Sequence, residues 1–509
     1  MEVSGLPQRS LGMDALFQYT GSGVQFISGM IFYIIIARMF NTSAVGAIAL
    51  FIAIVGLFNI IFSLGLGTAA QHFTSYSIGI GDYSSVPNLF HKIIIYGFFL
   101  SITGFLTILL MSPTIAIIFL HSAYYAGLIR LLGIVLLGNV MFGILNGTIL
   151  GLQHFRLSAI INIVIWLVYY FGSILMALII RDLNVIVIGW IIGIFLGVAI
   201  ELTVILRILH KYKYSRNLPI RNDIIRYSLP IVLSSIMSYG AGYADRFIVA
   251  GLMGLSSLGV YNFALLVASA IGFVTIPFNN ILMPKFSELF GKGMKDSIAN
   301  HVKASSMLLS SIYVPAAMGI AAIGPIIIDF IGGSNYILGS APLMIIMFFM
   351  ALFVPQSILV AAVASVRRTR IFLYSSSAGF LANILISLTL IPRLDLIGAA
   401  IGYSSVYVST FGVLLYFSIL EKVVAFDFSG FIKIWIASSI MFFLVSGLEE
   451  MLGHFLFLLP LYIVVGFFVY VFCARLLKVF RRENKALVLS LFPEKYGRLR
   501  KVLTILILH

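Results

Sequence analysis

Charge is what this sequence has least of. Only 10% of its 509 residues are charged, whereas 61% are hydrophobic and the mean hydropathy is +1.12. A soluble protein carries about 25% charged residues. The chain is therefore predicted to be an integral membrane protein with many spans. Its net charge of +15 is then explained by membrane topology, and nucleic acid is not an expected partner.

Cysteine is almost absent as well. The single Cys473 excludes internal disulfides and cysteine-based metal clusters. The eight histidines show no pair at metal-ligand spacing, and there is no GxxxxGK[ST] motif for ATP. The longest internal polar stretches, roughly residues 71–92 and 283–303, are too short for a catalytic domain. We therefore expect no enzyme, no metal site and no resident cofactor.

Long apolar runs are what the sequence does have. A membrane-spanning helix needs about 20 mostly apolar residues. Fourteen runs meet this requirement: 13–37, 44–70, 93–118, 125–150, 157–180, 184–208, 227–251, 256–282, 304–330, 339–365, 371–392, 396–420, 431–449 and 455–476. An even number of spans places both termini on one side of the membrane.

The distribution of Lys and Arg sets the predicted orientation, because cytoplasmic loops are enriched in both residues. With the N-terminus inside, 27 of the 32 Lys and Arg residues are cytoplasmic and only Arg38, Arg181 and Arg393 are external. The two others, Arg130 and Arg246, lie within spans. We therefore expect a multi-pass protein of the plasma membrane with both termini in the cytoplasm.

A weak internal repeat relates the two halves of the chain. Gly46 lies 33 residues before Gly79, and Gly259 lies 32 residues before Gly291; each segment then carries Gly-x-Gly and, soon after, Asp. Six spans per repeat give both halves the same orientation, which is a transporter architecture with the substrate between the repeats. The predicted fold is an all-α integral membrane protein with about 14 transmembrane helices. Two parallel six-helix lobes surround a central cleft, followed by two C-terminal helices.

The predicted domains follow from this repeat. They are an N-terminal lobe over 1–212, a C-terminal lobe over 213–425, two further helices within 426–476 and a basic cytoplasmic tail over 477–509.

The run 227–251 contains two adjacent charges, Asp245 and Arg246, where each charge facing lipid costs roughly 2.5–3.5 kcal/mol. At about 100° per residue they fall on one polar stripe roughly 140° wide. The other members of the stripe are Ser234, Ser235, Ser238, Tyr239 and Gly242. Such a stripe lines a hydrated cleft or, alternatively, packs against another helix. Pro230, Gly242 and Pro277 are candidate hinges, and Pro277 is expected to bend its helix.

The first span carries a similar stripe. Its main members are Asp14, Gln18, Gln25 and Tyr33. Arg38 closes the same helix, and Asn139 and Asn146 lie on one face of the span 125–150, where cavity lining and hydrogen bonding between helices are equal alternatives. We also expect Glu201 to pair with a basic neighbour. The candidate cavity residues are thus Asp245, Arg246, Tyr239, Ser235, Ser238, Gln18, Gln25, Asp14, Tyr33, Arg38, Asn139 and Asn146.

Several segments resemble one family. "ARMFNTSAVGAIALF", "GLGTAAQ", "RYSLPIVLSS", "DRFIVAGLMGLSSLGVYNFA" and "MPKFSEL" are similar to segments of polysaccharide and lipid-linked oligosaccharide transporters. These proteins form part of the multidrug/oligosaccharidyl-lipid/polysaccharide exporter superfamily. The resemblance covers the first twelve predicted spans, and Asp245 and Arg246 match the family's Asp-Arg. The chain departs from the more cationic members, because Arg246 has few arginines to accompany it.

The resemblance implies a flippase that moves a polyprenyl-linked glycan from the cytoplasmic to the outer leaflet by alternating access. The implied partners are the lipid-linked glycan, membrane lipids and glycan-assembly enzymes, and we expect a monomer. Coupling to an H⁺ or Na⁺ gradient, or to the membrane potential, is an open expectation. The main alternative is an ion-coupled multidrug exporter of the same superfamily. Such an exporter would favour acidic residues deep in the first lobe, and only Asp14, near the inner mouth, qualifies. A membrane-embedded glycan transferase or a scaffold ranks lower, because the loops are short and the stripes are polar.

Overall fold

The computed structural model describes residues 11–212, 221–272, 276–366, 368, 370–421 and 424–479. Every regular element in this part of the chain is a helix. Eleven helices are long and apolar enough to span a membrane, or twelve if a pair bent by 41° counts as one broken span. The predicted all-α membrane fold is confirmed. The predicted number of fourteen spans is not, and the tail beyond residue 479 lies outside the described residues.

The helices divide between two compact units. Unit 1 comprises the described residues up to Ile236 together with Gly254–Leu258, and unit 2 comprises Met237–Met253 and the described residues from Gly259 onward. The bounds of the helices that begin in unit 1 are α1 Leu11–Met39, α2 Thr42–Ser63, α3 Leu66–Gly79, α4 Val86–Leu120, α5 Ala126–Gly151, α6 Phe155–Ile179, α7 Leu183–Leu209, α8 Arg221–Met253 and α9 Leu255–Gly272. The division between the units falls inside α8 and α9.

The remaining helices belong to unit 2. They are α10 Ile276–Gly291, α11 Lys295–Ala322, α12 Gly324–Gly332, α13 Ser340–Met350, α14 Phe353–Ser365, α15 Arg370–Leu420, α16 Phe428–Leu452 and α17 Leu459–Leu476. The helix α15 is interrupted at Asp395, whose backbone is not helical (φ 51°, ψ −130°). Its 51 residues would measure about 77 Å unbroken, more than twice the hydrocarbon thickness of a bilayer. The chain therefore reverses at Asp395, between the predicted spans 371–392 and 396–420.

Some predicted spans are broken. The run 44–70 is divided between α2 and α3, because Leu64 and Gly65 both adopt left-handed backbone conformations (φ 42° and 66°). Likewise, 339–365 is divided between α13 and α14, the pair bent by 41°. Pro277 is the second residue of α10, next to the undescribed residues 273–275, so the bend expected there stays a prediction.

The two segments of the internal repeat have the same local backbone. The helix α3 ends at Gly79 and α10 ends at Gly291, and the second glycine of each Gly-x-Gly, Gly81 or Gly293, has a positive φ (79° and 73°). Only glycine adopts this conformation without a steric penalty, which explains why the motif occurs in both halves. A long helix then begins in each case, α4 at Val86 and α11 at Lys295.

Each unit has its own packed core. In unit 1, α6 packs against α1 and α7, and α5 against α3, α4 and α7. The approach of α3 to α5 is close: a Cβ on Gly147 would overlap the backbone oxygen of Gly67. In unit 2, α11 packs against α16, α15 against α13 and α14, and α16 against α17.

Candidate functional site

Asp245 is the centre of a buried hydrogen-bond network in unit 2. Its side chain is 0% exposed. The Tyr261 hydroxyl on α9 donates to Oδ2 over 2.7 Å, and Nδ2 of Asn383 on α15 donates to Oδ1 over 3.2 Å. Both carboxylate oxygens therefore have a donor, which is the condition under which a buried charge is tolerated.

The network extends beyond the carboxylate. Nδ2 of Asn383 also lies 2.9 Å from the Ala241 carbonyl oxygen, and its Oδ1 accepts a hydrogen bond of 2.9 Å from Ser387. The Tyr261 hydroxyl lies 3.2 Å from the Ala399 carbonyl oxygen. Asp245 thereby links α8, α9 and both halves of α15.

Arg246 has a different set of partners. Its Nη1 donates to the carbonyl oxygen of Gly242, one turn earlier, over 2.6 Å. Its guanidinium carbon lies 4.1 Å from the centroid of the Tyr243 ring, which is cation–π geometry. Tyr239 stacks on the other side of Tyr243, with 4.3 Å between ring centroids and 4° between planes. Tyr239, Tyr243 and Arg246 thus form a stacked column along one side of α8.

The guanidinium keeps unused donor capacity. Its Nε is buried and makes no hydrogen bond to any described residue. An arginine has five N–H donors in a planar fork, and the hydrogen bond to Gly242 uses one of them, on Nη1. The guanidinium of Arg246 can therefore donate to an anionic group and still keep the contacts that position it.

The other predicted residues of α8 are distributed along the helix. Ser238 is exposed, and its hydroxyl lies 2.9 Å from that of Ser376 on α15. Ser235 is partly buried in the section of α8 that belongs to unit 1. Pro230 lies inside α8, and a Cβ on Gly242 would meet no atom within 4 Å. Whether these positions act as hinges stays a prediction.

In unit 1, part of the polar stripe of α1 packs against α6. Asp14 is 5% exposed and forms an ion pair of 2.9 Å with Nε of Arg156. Nε2 of Gln18 donates to the Phe155 carbonyl oxygen over 2.6 Å. Gln25 and Tyr33 are partly buried further along α1, and Arg38 is exposed in its last turn.

Asn146 lies in a second polar cluster of unit 1. Its Nδ2 donates to Oε1 of Glu201 over 2.7 Å and to the Ser158 hydroxyl oxygen over 3.1 Å. Glu201 is 0% exposed. The prediction that Glu201 pairs with a basic residue is wrong: among the described residues, its hydrogen-bond partner is the amide of Asn146. Asn139, two turns earlier on α5, is partly buried.

Sequence reasoning missed Tyr261, Asn383 and Ser387. Asn383 and Ser387 are four residues apart in an otherwise apolar run, so they lie on one helix face. That spacing was a usable signal. Tyr261 carried none, because a tyrosine in an apolar helix is usual.

Three comparisons relate the chain to known proteins. The family model described as polysaccharide biosynthesis protein matches residues 35–341. An uncharacterised membrane protein of Methanocaldococcus jannaschii is 23% identical over 402 residues, covering 75% of this chain and 91% of that protein. A second one from the same organism is 28% identical over 193 residues, covering 38% of each chain.

Solved structures share the fold. A structure of the lipid II flippase MurJ in an inward closed conformation has a TM-score of 0.72 at 15% identity, covering 91% of this chain and 98% of that chain. An inward-facing multidrug resistance MATE family transporter of the MOP superfamily has a TM-score of 0.63 at 15% identity, covering 79% and 96%. A MOP superfamily transporter from Pyrococcus furiosus, described as having a binding pocket of reverse polarity, has a TM-score of 0.59 at 13% identity, covering 80% and 94%.

These findings confirm the resemblance that the sequence motifs indicated. The chain has the fold of MOP superfamily transporters, and the family model covers more than half of its length. The chain belongs to the polysaccharide biosynthesis protein family.

Proposed function

We propose that this protein is a membrane transporter that flips a polyprenyl-linked oligosaccharide or polysaccharide precursor from the cytoplasmic to the outer leaflet by alternating access. The observation that carries the proposal is Arg246, a partly buried arginine whose buried Nε has no hydrogen-bond partner among the described residues. A lipid-linked glycan brings an anionic phosphate to the membrane, and the planar fork of arginine is well suited to phosphate oxygens. The family match and the MurJ-like fold support the same cargo class.

The surroundings of Arg246 suit this cargo. The stacked Tyr243 ring holds the guanidinium in place, so less conformational entropy is lost when an anion binds. Ser235, Ser238 and Tyr239 add hydroxyl groups along α8 for a polar glycan. The lipid tail needs no protein site, because it remains in the bilayer.

Asp245 has a supporting role in this proposal. Its bonds to Tyr261 and Asn383 fix this turn of α8 and therefore the position of the adjacent Arg246. The same carboxylate is a candidate for coupling to H⁺ or Na⁺, with the membrane potential as an alternative energy source.

Multidrug export is the competing function. An exporter of cationic drugs needs an acidic residue that is available to the drug. Asp14, the acidic candidate in the first lobe, is ion-paired with Arg156. This pairing favours the glycan cargo.

The uneven distribution of Lys and Arg supports a plasma-membrane orientation with both termini in the cytoplasm. In that orientation the cytoplasmic leaflet supplies the lipid-linked glycan. Membrane lipids and glycan-assembly enzymes are the proposed partners of a monomeric transporter.

Replacing Arg246 tests the site directly. Arg246→Ala should slow flipping roughly 10- to 100-fold, the equivalent of one charge-assisted hydrogen bond. Arg246→Lys should restore only part of the rate, because an ammonium keeps the charge but loses the fork. The measurement is the flipping of a fluorescent polyprenyl-diphosphate disaccharide in proteoliposomes, read by an impermeant quencher.

Arg130→Ala is the matched control, because Arg130 is an exposed arginine at the start of α5 that contacts Ser112. It should flip at the normal rate. A normal rate for Arg246→Ala would refute the site, and efflux of a cationic dye by the wild-type protein without flipping would favour multidrug export.

A further inference from the structure

Glu201 is a buried acid for which the proposed flipping mechanism has no use. It lies on α7 with 0% of its surface exposed, and Asn146 donates to its Oε1 over 2.7 Å. The other oxygen, Oε2, is buried and has no hydrogen-bond partner among the described residues. A carboxylate in this setting carries a charge that is largely uncompensated.

The helix that carries Glu201 takes part in an apolar core. The helices packed around α7 are α5 and α6. They supply to this core the side chains of Phe142, Leu145, Ile149, Ile161 and Ile165, and α7 itself supplies Ile194 and Ile205.

Charged groups on these helices are engaged or exposed elsewhere. Arg156 at the start of α6 is paired with Asp14, and Arg130 at the start of α5 contacts Ser112. Arg207, His210 and Lys211 line an open surface depression at the end of α7. In the part of the chain that the structure describes, the polar side chains of this cluster are therefore Asn146, which bonds Glu201, and Ser158, which bonds Asn146.

The two amide groups of the cluster, on Asn146 and Asn162, are arranged as donors. Nδ2 of Asn146 serves both Glu201 and the Ser158 oxygen, and Nδ2 of Asn162 lies 3.3 Å from the same Ser158 oxygen. Amide hydrogens that point into the cluster repel a metal cation, which requires oxygen ligands. A proton on the carboxyl removes the buried charge at far lower cost than leaving it ionised.

We propose that Glu201 is a proton-binding site within unit 1. The proton resides on Oε2, and Oε1 accepts the hydrogen bond from Asn146. Release gives a carboxylate on Glu201 and passes the proton to water. Protonation removes a charge from the core. Entry of water into unit 1 therefore favours release of the proton from Glu201, and exclusion of water favours its uptake. The site goes beyond the proposed flipping function, since no feature of it depends on the cargo.

Infrared spectroscopy tests the proposal on the purified full-length protein, because a protonated carboxyl has a C=O band well separated from the carboxylate bands. At neutral pH the wild-type protein should show this acid band, and Glu201→Gln should lose it. Glu449→Gln is the matched control: Glu449 is also buried, but it is paired with His454 over 3.0 Å, so the band should remain. An acid band of equal intensity in the wild type and Glu201→Gln would overturn the proposal.

Two further measurements keep the proposal falsifiable. If Glu201→Gln does not fold, Glu201→Asp should retain an acid band at a shifted frequency, and an unshifted band would overturn the assignment. Sodium chloride added at constant pH should leave the wild-type band unchanged. Loss of the band would show that Glu201 binds sodium and would overturn the proposal that it binds a proton. None of these measurements involves a glycan, so their failure is distinguishable from failure of the flippase proposal.

Discussion

Asp245 in unit 2 and Glu201 in unit 1 are both 0% exposed, yet they solve the problem of a buried carboxyl group differently. Asp245 has a donor on each oxygen, from Tyr261 and Asn383. Glu201 has one donor on one oxygen and none among the described residues on the other. A fully bonded carboxylate stabilises the fold, whereas a half-bonded one is suited to gaining and losing a proton.

The largest expected effect comes from removing the bonded carboxylate. Asp245→Ala removes the carboxylate to which the Tyr261 hydroxyl and the Asn383 amide donate, and leaves them only the contacts with the Ala399 and Ala241 carbonyl oxygens. We expect a loss of about 2–6 kcal/mol in the free energy of unfolding, at about 1–3 kcal/mol for each donor that loses the carboxylate. Thermal unfolding in detergent measures it. Asp245→Asn keeps the size of the side chain and one acceptor, so it should lose less stability. Equal stability of Asp245→Ala and the wild type would show that Asp245 does not stabilise the fold.

Replacing the asparagine of each network should also destabilise unit 2 more than unit 1, but the difference in the free energy of unfolding should be smaller. Asn383 makes hydrogen bonds to Ala241, Asp245 and Ser387, whereas Nδ2 of Asn146 serves Ser158 and Glu201. At about 0.6 kcal/mol for each bond between membrane helices, Asn383→Ala should cost about 2 kcal/mol and Asn146→Ala about 1 kcal/mol. The same unfolding measurement compares them. A larger loss for Asn146→Ala would reverse the ranking of the two networks.

The smallest expected change is that of Glu201→Gln. If the carboxyl is already protonated, the replacement exchanges one neutral group for another of the same shape, and stability should stay within about 0.5 kcal/mol of the wild type. This contrasts directly with Asp245→Ala. A loss of about 2 kcal/mol or more at neutral pH would mean that the ionised form stabilises the fold, and the two acids would then be equivalent.

The sequence predicted the elements that depend on local pattern. Apolar runs of sufficient length predicted most of the helices. The repeated Gly-x-Gly predicted two equivalent segments, and in the structure their helices end at Gly79 and Gly291, nine residues beyond the predicted spans. The break at Leu64 was not predictable, since the chain has neither proline nor a polar run there and leucine rarely adopts a positive φ.

The site was predictable only in part for a similar reason. The polar stripe of α8 singled out Asp245 and Arg246, but periodicity says nothing about partners distant in the chain. Asn383 lies 138 residues after Asp245. For Glu201 the simple rule that a buried acid pairs with a base failed, because packing placed an amide beside it. Long-range contacts of this kind depend on tertiary structure, so a local pattern can mark a polar face but cannot name the partner.

The lengths of neighbouring helices in unit 1 have a consequence for the surrounding lipid. At 1.5 Å per residue, the 35 residues of α4 measure about 52 Å and the 22 residues of α2 about 33 Å, against a hydrocarbon thickness of about 30 Å. The shorter helix nearly matches the bilayer, and the longer one must tilt or project beyond it. A bilayer adjusts to such unequal heights by local thickening, at a cost of fractions of a kcal/mol per ångström of mismatch. Membrane thickness and elasticity thereby become part of the energetics of any movement in which α4 changes its tilt.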